Sequence, residues 1–194
     1  MLKKIQIVTF TGPSGAGKTT IVGELLKNHS ECKMILSLTS RGPRNSDLSG
    51  EYRCKVTNEE FLRREREGEF MWLVSFHGNI YGTLLTDINA ALNSNRVSLM
   101  QITPDSVKSL RAYAPGKILS IFILLPDEEE LRRRLEKRGE LPKEIDRRIA
   151  DCREWEKEAR ESRIPYKFIR NDGTVTEAID KVGRIGLKRL FGRL

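Results

Sequence analysis

The stretch "TGPSGAGKTT", residues 11–20, separates Gly12 from Gly17-Lys18-Thr19 by four residues. This is the P-loop spacing. Glycines let the backbone turn so that successive N–H groups converge on phosphate oxygens, and a helix opening just after them adds the positive end of its dipole. In such a loop Gly12, Pro13, Ser14, Gly15, Ala16 and Gly17 form the cradle, with Thr20 at its edge. Lys18 spans the β- and γ-phosphates, and Thr19 holds Mg²⁺ by its hydroxyl. ATP and Mg²⁺ are therefore the expected cofactors. A glycine turn that holds nothing is the plain alternative. The apolar run before the loop and the helical spacing after it argue against that.

A phosphate loop does not by itself distinguish a kinase from a GTPase or a motor. Hydrolysing proteins usually carry an acid at the end of a neighbouring strand to hold the cation. The candidate strand here, "RVSLMQI" (96–102), has Gln101 and no Asp. The other chemistry-bearing residues are arginines, crowded into "SRGPR" (40–44), "LRRRLEKRG" (131–139) and "DRRI" (146–149). Arg134 and Arg138 are four apart and share a helix face. Guanidinium forks grip phosphate oxygens bidentately. On composition alone, a solvated basic surface is an equal rival.

The elements that must position these groups alternate. Strands are predicted at 4–10, 34–40, 51–57, 69–76, 96–102, 117–126 and 166–170. Helices are predicted after the glycine loop, at 58–68 with Asn58 as N-cap and Gly68 as stop, at 84–95, after Thr103 and Pro104, at 127–138, at 142–162 and from Thr174 onward. Apolar strands alternating with helices give an α/β fold, a parallel sheet covered on both faces in three layers. The half-polar strands between about 37 and 95 read as an inserted acceptor-binding lobe over the C-terminal edge of the sheet, where ligands bind in such folds. The rest, 1–36 and 96–194, forms the core of one domain, with a lid at about 138–148.

The chain has 194 residues and a net charge of +8, with 38% hydrophobic and 32% charged residues. That suits a single globular domain with a real core and an affinity for anions. No apolar run reaches the roughly 20 residues of a membrane span. Cys32, Cys54 and Cys152 are scattered, without metal or disulfide spacing, which points to the cytoplasm. Neither nucleic acid nor membrane is an expected partner. A monomer or homodimer is expected.

Together, "GPSGAGKTT", "SLTSRGPR" (37–44), "GEY" (50–52), "GNIYGT" (78–83), "LRRRLEKRG", "DRRI" and "RNDG" (170–173) resemble the guanylate kinase family of nucleoside monophosphate kinases, over about residues 4–187. The resemblance implies a three-layer P-loop kinase that moves the γ-phosphoryl of ATP to a small phosphorylated acceptor, GMP or dGMP first. It implies that Arg41 and Arg44 grip the acceptor's phosphate with Tyr52 and Tyr81. It places Ser37 and Thr83 as hydroxyl contacts, Arg134, Arg138 and Arg148 as the catalytic arginines beside Lys18, and Asn171 and Asp172 against the adenine.

The match breaks at the base. Guanine presents N1–H and N2–H₂ donors, and the family answers them with carboxylates. Here Trp72 and Thr103 occupy those positions, with Gln101 where a companion acid belongs. An indole N–H only donates. Trp72 is then a stacking face or core, or else Glu69 or Gln101 shifts in to accept. "VSFHGNIYG" also resembles ribose 1,5-bisphosphate phosphokinases, so a sugar phosphate is the alternative acceptor, with His77 read as a turn residue. A guanylate kinase-like binding module without catalysis ranks last, because Lys18 and Thr19 are intact.

Overall fold

The computed structural model describes residues 5–76, 78–125, 127–137 and 139–187, and the side chains through 185. Five strands form an all-parallel sheet: β1 (Ile7–Thr11), β2 (Cys32–Met34), β7 (Val97–Gln101), β8 (Ile118–Leu124) and β9 (Lys167–Arg170), in the order β2-β7-β1-β8-β9. Strand β1 is buried throughout, so both of its faces are apolar rather than alternating. Val8 and Phe10 face α1 (Lys18–Asn28) and α7 (Val175–Val182), where they pack with Ile21, Leu25, Ile123 and Val182. Ile7 points the other way, towards Ile88 of α3 (Leu85–Leu92) and Leu110 of α4 (Pro104–Tyr113).

The chain leaves β1 through α1 to β2 at one edge. It returns through β7 between β2 and β1, then crosses to β8 on the far side of β1. Strand β1 is thus where the winding reverses, and a crevice opens at its carboxyl end. Gly12 and Gln101 both lie at that end.

A second sheet, ordered β4-β3-β6-β5, comprises β3 (Ser37–Thr39), β4 (Tyr52–Arg53), β5 (Phe70–Phe76) and β6 (Asn79–Leu84). With α2 (Asn58–Arg66) it closes a small core of Leu38, Val56 and Phe61 against Phe70 and Leu73. Gly82 on β6 makes this possible, since a Cβ there would lie 2.6 Å from Phe70. A register shift between Phe70 and Trp72 leaves Trp72, Val74 and Phe76 spaced by two on β5, all lining the crevice between the sheets. Helices α5 (Glu128–Glu136) and α6 (Pro142–Glu161) pack through Leu131, Leu135, Ile145 and Ile149.

Three sequence expectations need correction. The run at 34–40 is two strands: Ile35 N–H still donates to Leu99 of the parallel sheet, whereas Ser37 N–H donates to Glu51 of the lobe. Only residues 52–53 of the run at 51–57 pair as a strand. The stretch 79–84, given no element from sequence, is β6. The closing helix also widens from a regular α-helix into a π-helical turn at Gly183–Leu187.

The start of α2 is also one residue earlier than read: Thr57 is the N-cap, its hydroxyl accepting from Glu60 N–H at 3.2 Å, and Asn58 is the first helical residue. Thr57→Ala should therefore cost about 1 kcal/mol of unfolding free energy. Asn58→Ala should be near neutral, because Asn is a modest helix former and makes no cap here. Urea melts of the two variants check the order; equal losses would return the cap to Asn58.

Candidate functional site

The turn after β1 is built for close backbone approach. Gly12, Gly15 and Gly17 have φ of 141°, 87° and 88°. A Cβ would meet Ile123 O at 2.4 Å at Gly12 and Asn171 Nδ2 at 2.4 Å at Gly17, so no other residue fits either place. Asn171 is buried behind the loop and donates from Nδ2 to Ala16 O at 2.7 Å, while its N–H donates to Leu124 O. It braces the loop from the end of β9. Asp172 beside it is exposed and pairs with Lys181 at 2.6 Å.

Lys18 Nζ donates to Gly12 O and Pro13 O at 2.7 and 2.8 Å, which holds the ammonium over the cradle. Thr19 hydroxyl donates to Gln101 Oε1 at 3.1 Å, and Thr20 turns outward to solvent.

Two of the three arginines expected to be catalytic converge on this loop. Arg134 donates from NH1 to Gly15 O at 3.4 Å and is held by Glu130 at 2.6 Å. Arg148, on α6, donates from NH1 to Ser14 Oγ at 2.5 Å and sits 2.7 Å from Glu140 Oε2. Arg138 and His77 lie outside the described residues. Arg132 and Arg133, on the same helix as Arg134, point outward and pair with Asp146 and Glu130.

Across the crevice, Arg41 is buried and its terminal nitrogens grip Asp47 bidentately at 2.8 and 2.6 Å. Its guanidinium lies 4.7 Å over the Tyr52 ring, and Tyr52 meets Tyr81 edge-on at 5.9 Å. The hydrogen bonds from Arg41 hold the Asp47 carboxyl below the usual carboxylate range, and Asp47 in turn raises the Arg41 pKa. Burial raises the Tyr52 hydroxyl. Arg44 is exposed at the mouth, with its backbone N–H tied to Asp47 at 2.8 Å. Nothing in the local sequence marked Asp47 as the holder of Arg41; one residue in a polar turn is silent without its fold.

These two ends share one cavity of about 270 Å³. Among the described residues, its third wall is made chiefly of hydroxyls and aromatic rings. Ser37 and Thr83 hydroxyls pair at 2.8 Å, and Thr103 and Ser106 hydroxyls pair at 3.0 Å. Thr103 also caps α4, as expected. Trp72 lines the cavity and also packs on the cluster around Ile7 and Met100. Trp155 of α6 closes the same wall, with Phe76 at 6.1 Å. Glu69 does not shift in; Arg64 binds it at 2.5 Å. Gln101 is committed to Thr19 and, through Nε2, to Glu51 at 2.9 Å.

Among the described residues, no helix is long and apolar enough to cross a membrane, and Cys32, Cys54 and Cys152 are free thiols. Burial pushes Cys152 up to about 12.

Solved structures agree with this fold. The guanylate kinase of Anaplasma phagocytophilum superposes with a TM-score of 0.67 at 24% identity, covering 100% of this chain and 89% of that one. A gluconokinase of Sinorhizobium meliloti reaches 0.51 at 17%, covering 98% and 94%. In sequence, the guanylate kinase of Alkalilimnicola ehrlichii is 36% identical over 143 residues, 73% of this chain and 70% of that one. That of Prochlorococcus marinus subsp. pastoris is 35% identical over 150 residues, 77% and 80%. The guanylate kinase family model matches residues 4–187, so the glycine loop, Arg41 with Asp47 and the hydroxyl-lined wall all fall inside the match. By that span the chain belongs to the guanylate kinase family and is a phosphotransferase of the nucleoside monophosphate kinase class.

Proposed function

We propose that this chain transfers the γ-phosphoryl group of ATP to GMP or dGMP. The observation that carries the reading is the shared cavity: Lys18 and the glycine cradle at one end, Arg41, Tyr52 and Tyr81 at the other. The cradle suits a triphosphate, because its glycines leave room for backbone alone. The Thr19 hydroxyl and Gln101 carboxamide are hard oxygen donors that suit Mg²⁺. Mg²⁺ bound there would neutralise charge on the phosphate oxygens.

The protein's work is alignment and charge. Arg41, Arg44, Tyr52 and Tyr81 hold the acceptor's phosphate so that one of its oxygens faces the γ-phosphorus. As that oxygen bonds, the link from phosphorus to the β,γ-bridging oxygen breaks and ADP departs. Lys18, Arg134 and Arg148 stabilise the charge spread over the transferring group, with Arg138 in the same role from the family pattern. Asn171 and Asp172 border the adenine end, Asn171 by bracing the loop. Family relationships do not favour a sugar bisphosphate acceptor, and the intact Lys18 and Thr19 argue for catalysis over binding alone. Three free thiols fit a cytoplasmic enzyme.

Lys18→Ala and Arg148→Ala should each lower kcat by about 10³–10⁵ in a coupled ATP-consumption assay with GMP. Melting temperatures should stay within a few degrees of the parent. Turnover near normal in either variant would remove that residue from the reaction.

The acceptor wall predicts weak base discrimination. Hydroxyls rotate to donate or accept, and each missing charge-assisted bond to guanine gives up about 1.5–3 kcal/mol. The kcat/KM for GMP should exceed that for AMP by less than about 100-fold, roughly 2.7 kcal/mol. Trp72→Glu should widen the ratio at least tenfold. A parent ratio above 10⁴ would show that guanine is read by acceptors elsewhere.

A further inference from the structure

Glu51 is a buried carboxylate that none of the roles above uses. It is 6% exposed and precedes Tyr52 at the start of β4. Its environment is specific. Oε2 accepts from Leu48 N–H at 3.0 Å, and Oε1 accepts from Gln101 Nε2 at 2.9 Å. On its other side the Gln101 carboxamide accepts the Thr19 hydroxyl proton through Oε1 at 3.1 Å. The three side chains come from the lobe, the end of β7 and the first turn of α1.

The direction of this chain matters more than its length. A carboxylate can only accept, so Glu51 obliges Gln101 to present its NH₂ to the lobe and its carbonyl oxygen to Thr19. That carbonyl takes the Thr19 hydroxyl hydrogen, which leaves the hydroxyl lone pairs directed away from Gln101. Without the carboxylate the carboxamide is free to turn over. Its NH₂ would then donate into the very lone pairs a cation needs. Burial of Glu51 strengthens the constraint, because an unmet carboxylate there would be costly.

We propose that Glu51 is a positioning residue for the magnesium site: through Gln101 it fixes the orientation of the Thr19 hydroxyl, so that a neutral amide serves where an acid would otherwise stand. This rests on the phosphoryl-transfer reading, which assigns Mg²⁺ to Thr19. It also ties the cation to the acceptor lobe, since Glu51 adjoins Tyr52 of the phosphate clamp. Partners that orient a metal's ligands typically change metal affinity by about 10–100-fold when removed.

The test is binding, with ADP and Mn²⁺ as probes. Mn²⁺ affinity for the protein–ADP complex is measured by electron paramagnetic resonance, and ADP affinity without metal by calorimetry. Glu51→Gln should weaken Mn²⁺ binding at least tenfold and leave metal-free ADP binding within twofold. The exchanged pair Glu51→Gln with Gln101→Glu should restore Mn²⁺ binding to the parent value or better. In it the amide at 51 donates to a carboxylate at 101, which still takes the Thr19 proton. Unchanged Mn²⁺ affinity in Glu51→Gln overturns the proposal. So does an exchanged pair no better than the single variant, or equal loss of ADP binding without metal. A parent protein that binds neither ADP nor Mn²⁺–ADP would instead bring down the phosphoryl-transfer reading itself.

Discussion

Two phosphorylated molecules repel each other, and a site that joins them must supply positive charge that is already in place. Loose arginines do this badly, since each carries rotamer entropy and strong hydration. Here the guanidinium groups are tethered before any anion arrives. Arg41 is held by Asp47 and Arg134 by Glu130 through hydrogen bonds, while Arg148 lies beside Glu140 and donates to Ser14 Oγ. A guanidinium has five N–H donors and a carboxylate engages only some of them. Each pair therefore fixes a direction while leaving donors for phosphate. Arg134 and Arg148 also reach Gly15 O and Ser14 Oγ, so both guanidinium groups are anchored on the glycine loop.

That tethering is possible because the strand order brings distant segments to one crevice. The loop leaves β1, Gln101 ends β7, and the lobe enters the chain between β2 and β7. The lobe has its own small core, and around the cavity it meets the rest of the molecule through polar and aromatic links: Gln101 to Glu51, and Phe76 near Trp155. At the mouth of the cavity the two parts meet through a few directional bonds, while Met71 and Trp72 at the base of β5 anchor the lobe on the apolar cluster around Ile7 and Met100. This is the physical condition for a lobe that must admit one nucleotide and release another.

The parts legible in the sequence were those with local signatures. The glycine loop, the alternation of apolar strands with capped helices and the Thr103-Pro104 start of α4 each depend on residues close in the chain. What escaped was decided elsewhere. Residues 34–40 read as one strand because Ile35 and Leu36 are apolar; only the positions of Leu99 and Glu51 decide that the chain changes sheets there. Strand β6 was hidden by Gly78 and Gly82, residues that usually end strands, although Gly82 is demanded by Phe70 packing across it. Asp47 sits in a polar turn with no periodicity, and Glu51 opens a run read as a strand of which only residues 52–53 pair. Their importance lies wholly in what they meet, residues 41 and 101.

Trp72 shows how one position can answer to the fold and the site together. Its neighbours on the sheet side include Ile7, Ile35, Ile88 and Met100, an apolar setting in which a carboxylate would need a partner of its own. An indole buries a large apolar area there and still presents an edge and a face to the cavity. The polar wall opposite is then made of hydroxyl pairs, Ser37 with Thr83 and Thr103 with Ser106, each already satisfied internally. Such a wall costs little when a base leaves and imposes little on which base returns. On the reading proposed above, affinity for an acceptor then rests on its phosphate, opposite Arg41 whose orientation is already set by Asp47, more than on its base.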